Sequence, residues 1–216
     1  MEREKSLKLT KTNISILVVI VFHIVGLIGF LIPFLRPLFL RIVPAHLLLM
    51  LFLLLLNHHG RFLKLILFFL IISILGFSAE WIGVHKQWLF GHYAYDGTLG
   101  FKLSNIPLMI GVNWFLLIYS ASVLTQKLPV KTAWQKIILG ALVLVLLDVL
   151  IEPVAIRSAY WHWIGNGIPL KNYICWFLLS AFFIFLFRVT NFRTQNWVAP
   201  TLLIAQFIFF LVLNFA

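Results

Sequence analysis

Acids are scarce in this chain. Only six Asp and Glu stand against seventeen Lys and Arg in 216 residues, a formal net charge of +11. Charged residues of both signs make up 11% of the chain, too few to coat a soluble domain of this length. There is one cysteine, Cys175, so no disulfide framework and no redox pair can form, and its simplest role is a small apolar filler. The chain has no glycine-rich phosphate loop and no Gly-x-Ser-x-Gly, which leaves ATP hydrolysis, flavin binding and serine chemistry without support. Seven histidines invite a metal reading, but only His58-His59 form a tight pair. His23 and His46 stand alone in apolar runs, where packing or helix–helix hydrogen bonding is the expected role. No metal is expected.

What the chain has in abundance is apolar residues: 62% of it, with a mean hydropathy of +1.05. They fall into seven runs, Ile14–Leu35, Ile42–Leu56, Phe62–Val84, Ile106–Leu124, Ile137–Ile156, Tyr173–Phe187 and Trp197–Ala216. About 20 helical residues cross a bilayer core. Five runs meet that length, and the second and sixth are expected to be short, with six spans as the alternative count. The fold class expected is an all-α polytopic membrane helix bundle, and residues 1–216 read as one membrane domain. Residues 1–12 form a basic tail expected in the cytoplasm. The first run is too long for a signal peptide and lacks a cleavage site. The basic residues lie between the runs, which argues for a membrane protein and against a nucleic-acid partner. With the N-terminus inside, eleven Lys and Arg fall in the inner segments and six in the outer ones. That bias predicts a cytoplasmic N-terminus, in a bacterial plasma membrane.

One pattern occurs twice. Glu80 is followed by His85, Trp88, Ile106-Pro107-Leu108 and Trp114-Phe115-Leu116-Leu117. Glu152 is followed by Arg157, Trp161, Ile168-Pro169-Leu170 and Trp176-Phe177-Leu178-Leu179. The interval from Glu to the basic residue matches in the two copies, as does the interval from the Ile to the Trp. The expected architecture is therefore two parallel helix–loop–helix repeats, about 76–124 and 148–188, with a shared site at their interface. Pro107 and Pro169 suit the first turn of the returning helices.

The remaining acids then matter. Asp148 and Glu152 are four apart in an apolar helix and share one face. Like charges there repel and burial disfavours the ionised form, so at least one is expected to stay protonated near neutral pH, as a general acid requires. The alternative is a structural tie to Arg157, His85 or Lys171. The outer loops cluster Trp88, Phe90, His92, Tyr93, Tyr95 and Asp96 in one copy and Tyr160, Trp161, His162 and Trp163 in the other. An interfacial aromatic belt explains single members. The clusters also suit a dry pocket that stabilises a cation by about 2 kcal/mol or more. Asn113 and Asn172 either orient water or hydrogen-bond between helices.

Three blocks carry a resemblance: EWIGVHKQWLFGHYAYDGTLG from Glu80, NIPLMIGVNWF from Asn105 and DVLIEPVAIRSAYWHWIGNGIPLKNYICWFLLS from Asp148. In this order they resemble the CruF-type carotenoid biosynthesis family, integral membrane proteins that hydrate the acyclic end of carotenoids. The likeness covers roughly Gly76 to Ser180. It implies a lipid-soluble carotenoid substrate in the membrane, no cofactor, and other carotenoid biosynthesis enzymes as further partners. It carries no residue roles, so those come from the chemistry. Hydration of an unactivated terminal double bond needs a buried acid, a cation-tolerant pocket, and a held water with a base beside it. Glu152, tuned by Asp148, is the expected acid. Glu80, with His85 or His92 nearby, is expected to position and deprotonate water. The reverse assignment is also open. Trp88, Tyr93, Trp161 and Trp163 are expected to line the cation pocket, with Arg157 and Lys171 keeping one carboxylate ionised.

Two alternatives share these features. A carotene cyclase uses the same carbocation but captures it with an internal double bond. A proton-coupled transporter also fits parallel repeats with intramembrane acids. A scaffold for pigment enzymes would leave the duplicated acids without a purpose.

Overall fold

The computed structural model describes residues 10–165 and 167–216. Most of the basic tail, with Glu2 and Glu4, and Asn166 of the Gly165-Asn166-Gly167 turn lie outside the described residues. Seven helices follow: α1 (Lys11–Leu31), α2 (Arg36–Leu56), α3 (Phe62–Lys86), α4 (Met109–Lys127), α5 (Ala133–Arg157), α6 (Leu170–Val189) and α7 (Val198–Phe215). All seven are long and apolar enough to cross a membrane, so this is an integral membrane protein. Large apolar side chains such as Leu63, Ile74, Leu146 and Leu178 are more than half exposed on the outside of the bundle. Lipid tails cover such a surface without cost, and each helix satisfies its own backbone polar groups.

Two expectations about the helices change. The second and sixth spans are 21 and 20 residues long, not near 15. In α2 the helix starts at Arg36 with Pro37 in its first turn, where a missing N–H costs nothing. Arg36 and Arg41 are thus helical residues at the membrane edge and not loop residues. The long aliphatic stems of arginines let their charged heads reach water from there. Thr10 caps α1, and Thr132 with Gln135 forms a reciprocal capping box on α5.

Four short strands occupy the connections: β1 (Tyr93–Tyr95), β2 (Lys102–Leu103), β3 (Ile106–Pro107) and β4 (Trp161–Trp163). Pro107 lies in β3, not in the first turn of α4, because Ser104 and Asn105 both adopt positive φ and fold β2 and β3 into a two-residue hairpin. Pro169 stands just before the first turn of α6, as its N-cap. The pairing that matters is between β1 and β4, antiparallel, with Tyr93 opposite Trp163 and Tyr95 opposite Trp161. The ladder continues through Asp96 N–H to Tyr160 O and Ile164 N–H to His92 O, and His162 Nδ1 meets Asp96 Oδ1 at 2.9 Å beside it.

The two hairpins α3–β1–α4 and α5–β4–α6 therefore meet strand to strand at one end of the bundle. Inside, α4 is the central helix and packs against α2, α3, α5, α6 and α7. Close approach is possible because small residues face it. A Cβ on Gly76 of α3 would sit 2.6 Å from the Trp114 ring, and one on Gly111 of α4 would sit 2.8 Å from Ser73 O.

Candidate functional site

Glu80 lies seven residues before Gln87, the C-cap of α3, and is 5% exposed. β1 alternates its side chains, so Tyr93 and Tyr95 point the same way. Both phenols donate to Glu80 Oε2, at 2.5 and 2.8 Å. Trp114 of α4 donates its indole N–H to Oε1 at 3.1 Å. Burial first, and the Glu80 carboxyl second, hold both tyrosine phenols well above their ordinary value, so they remain donors.

Glu152 is treated the same way by the second hairpin. Its exposure is 2%. Trp161 and Trp163, one residue apart on β4, donate to Oε2 at 3.0 and 2.8 Å. The third donor comes from a different place: Asn172 of α6 donates to Glu152 Oε1 at 3.2 Å and to Asp148 Oδ2 at 2.8 Å. Asp148 is fully buried, and its Oδ1 has no partner among the described residues. Each glutamate is thus held by its own strand, and the antiparallel pairing of β1 with β4 brings the two sets together. Below them Trp114 and Trp176, which hold the same place in the two copies, stack with centroids 4.5 Å apart.

Between these groups lies a cavity of about 40 Å³, lined by Glu80, Glu152, Asn172, Asn113 and the aromatic rings of Tyr93, Trp161 and their neighbours. That is room for water. It shares Ile110, Asn113 and Trp161 with a second cavity of about 440 Å³ that is almost wholly apolar and runs between α1, α2, α4, α5 and α7. An acidic, aromatic chamber therefore opens beside a hydrocarbon-lined one.

Of the residues expected at the site, Glu80, Asp148, Glu152, Tyr93, Trp161, Trp163, Asn113 and Asn172 come together. The others are placed elsewhere. His85 is exposed, stacks on Trp81 and donates from Nδ1 to Trp81 O. His92 is exposed, and Trp88 is 72% exposed. Arg157 donates to Leu213 O at 2.7 Å and Lys171 to Gln87 O at 3.0 Å. Both cations sit at the rim and satisfy carbonyls at helix C-termini, which lack partners within their own helices. The only ion pair among the described residues is His162–Asp96, so the three buried carboxyls are met by neutral donors alone. No group of three or more possible metal ligands occurs among the described residues.

Tyr95, Trp114 and Trp176 join the site although the sequence pattern assigns them no individual role there. The signal for them was present: aromatic-x-aromatic alternation in each loop, and a Trp at the same position of both copies.

Gly83, one turn after Glu80, is the position where β1 approaches α3. A Cβ there would lie 2.6 Å from the Tyr93 hydroxyl and 2.9 Å from Phe90. Gly83→Val is expected to push β1 off the helix and strip Glu80 of its tyrosine donors. Loss of about 1–3 kcal/mol from the thermal unfolding of the detergent-solubilised protein, with loss of activity, is the expected outcome.

The family profile described as "Carotenoid biosynthesis protein" matches residues 37–216. Among curated proteins, one named bisanhydrobacterioruberin hydratase, from Haloarcula japonica, is 27% identical over 123 residues. That alignment covers 54% of this chain but only 42% of the relative, so the chain spans less than half of that protein's length. No solved structure matches.

Proposed function

This chain belongs to the family of carotenoid biosynthesis proteins, and from that membership together with the buried pair of glutamates we infer that it hydrates the terminal double bond of an acyclic carotenoid end group. The observation that carries the reading is the chamber itself. Two carboxyls, each with three neutral donors, face a water-sized space that adjoins a long apolar cavity.

The chemistry follows from what such a chamber offers. The polyene end lies in the apolar cavity with its last double bond at Asn113 and Trp161. A carboxylic acid at Glu152, supported by Asp148 through Asn172, gives its proton to the less substituted carbon. The π electrons form that C–H bond, and a tertiary cation is left on the other carbon. The faces of Trp161, Trp163, Tyr93 and Trp114 stabilise it, because aromatic faces are negative. Water held by Glu80 and Asn113 attacks through oxygen and loses a proton to Glu80. A tertiary alcohol results, one water heavier than the substrate, and no electron leaves the system. Proton exchange through the chamber resets the two carboxyls. Glu80 takes the base role because Glu152 shares Asn172 with a second carboxyl, Asp148, and neighbouring carboxyls hold a proton between them, whereas Glu80 stands among neutral donors alone. The N-terminus, on the bias of its basic residues, faces the cytoplasm in this reading.

The homologue's name and the water-sized chamber favour hydration over cyclisation, which would want the chamber dry. Pigment analysis decides. The chain is expressed in a bacterium that accumulates lycopene or a monocyclic carotene, beside an empty-vector control, and extracts are run by chromatography with mass spectrometry. A more polar pigment heavier by one water is expected. An isomer of unchanged mass would mean a cyclase and would end this reading.

A further inference from the structure

At the end of the bundle opposite the chamber, α3, α5 and α7 begin and α4 and α6 finish. Its charge is one-sided. The described acids all belong to the chamber end: Glu80, Asp148 and Glu152 lie in the later halves of α3 and α5, and Asp96 follows β1. The opposite end carries lysine or arginine on each of its connections, Arg61, Lys131 and Arg193, and no described acid. Further cations flank these on the helices, and the fold draws some of them together.

Lys64, Lys136, Arg188 and Arg193 converge on two residues, Gln126 of α4 and Phe192 of the α6–α7 connection. Gln126 Nε2 donates to Phe192 O at 3.4 Å, which ties the two together. Lys136 Nζ donates to Gln126 O at 3.4 Å, and Lys64 Nζ stands 5.9 Å from the centre of the Phe192 ring. Arg193 follows Phe192 directly in the chain. Arg188 joins them from α6. Ile184 of α6 fills the space over Gly140 of α5, where a Cβ would lie 2.7 Å from its Cδ1. One turn nearer this end, the antiparallel helices present Lys136 and Arg188 at the same level. A helix-end carbonyl meets part of the charge of Lys136, but no described carboxylate faces any of the four, since the only described ion pair lies at the chamber end. Like charges gathered without a counter-ion call for one from outside.

The surroundings say which anion. Trp134 and Trp197 are more than half exposed at this end, and Lys127 Nζ stands 4.8 Å from the centre of the Trp197 ring. Such amphipathic indoles sit at the headgroup level of a bilayer, so the cations lie at the depth of lipid phosphates. Leu63 and Val189, the chain neighbours of Lys64 and Arg188, are also more than half exposed and offer hydrocarbon surface to acyl chains. We propose that this cluster binds the phosphate headgroup of an anionic membrane phospholipid, and that the bound lipid ties the ends of α4, α5 and α6 together. Two guanidinium forks suit phosphate oxygens. A zwitterionic lipid brings its own ammonium, which the cluster repels. A soluble phosphate has the charge but no chains for Leu63 and Val189. The inference is independent of the hydration reading.

The test uses the full chain in a neutral detergent, titrated with short-chain phosphatidylglycerol or with phosphatidylcholine of the same chains. Bound lipid is counted by native mass spectrometry, and thermal unfolding is followed in parallel. Phosphatidylglycerol is expected to bind about tenfold or more tightly than phosphatidylcholine. At ten times its Kd it should raise the unfolding midpoint by roughly 3–6 °C. Arg188→Gln and Arg193→Gln are each expected to weaken phosphatidylglycerol binding about fivefold, the worth of one cation beside an anionic headgroup, and to leave phosphatidylcholine binding unchanged. The double variant Arg41→Gln/Lys86→Gln removes two cations from the chamber end and is expected to keep the preference. Equal binding of the two lipids by the wild-type protein would overturn the proposal. So would an equal loss of preference in the chamber-end variant, which would reduce the effect to overall charge. Inorganic phosphate that displaces the lipid and gives the same shift would overturn it too, and assign the cluster to a soluble anion. If Arg188→Gln fails to elute as a single species, Arg193→Gln, on an exposed connection, and the wild-type comparison still decide.

Discussion

Replacing Glu152 by Gln is expected to abolish hydrated pigment while leaving the protein in the membrane. The side chain keeps its shape but loses the proton it must deliver, and general acid catalysis contributes roughly 10²- to 10⁴-fold. Some structural cost comes with it. Oε2 accepts from two indoles and Oε1 from Asn172, so the new amide NH₂ necessarily faces a donor. Rotation of Asn172 relieves this on one side, at the expense of its bond to Asp148. A modest fall in stability is therefore expected beside a total loss of product. Glu80→Gln should behave alike, since Tyr93, Tyr95 and Trp114 surround it with donors. The measurement is product by mass spectrometry, normalised to protein detected in isolated membranes. Near-normal product from both variants would remove the proposed mechanism.

Asn172→Leu is expected to damage stability as well as activity. Asn172 is the only described donor to Asp148, whose other oxygen already lacks a partner. Leucine would leave Asp148 with no hydrogen bond in the core and would remove one from Glu152. A buried polar group left unsatisfied costs about 1–3 kcal/mol. The double variant Asp148→Leu/Asn172→Leu separates the two roles. It removes donor and acceptor together, so much of the stability should return, as when both partners of a buried pair become apolar. Activity should not return, because the proposed acid has lost its companion. Thermal unfolding in detergent and product mass read the two effects independently. Recovery of activity in the double variant would show Asp148 and Asn172 to be structural only.

The residues that surround each acid illustrate how the site is shared between sequence and fold. Duplication pointed to Glu80 and Glu152, and helical spacing pointed to Asp148, since both are properties of neighbouring positions. The aromatic clusters were legible as clusters. Their function as donors was not, because it depends on β1 and β4 turning their alternate side chains inward, and those strands exist only where the two hairpins meet. The histidines went the other way. His85 is next to Glu80 in sequence by little more than one turn, yet its ring points out and stacks on Trp81. Five residues on a helix span about 500°, so it lies well off the face that Glu80 presents to the core. His92 neighbours Tyr93 in a strand and so faces the opposite side. Trp88, Arg157 and Lys171 lie at helix ends, where rim carbonyls and water are closer than the core.

By itself the sequence determined the membrane environment, the seven apolar spans, the duplicated hairpin and the identity of the three buried acids. Each follows from composition or from short-range periodicity, which the chain carries wherever it goes. Only the tertiary structure decided which neutral groups hold those acids, how the chamber adjoins the apolar cavity, and that His23, His46 and Gln206 border one cavity. Those relations join residues on different helices far apart in the chain. Hydrogen bonding and packing across helices select them, and no local pattern encodes which helix becomes the neighbour of which.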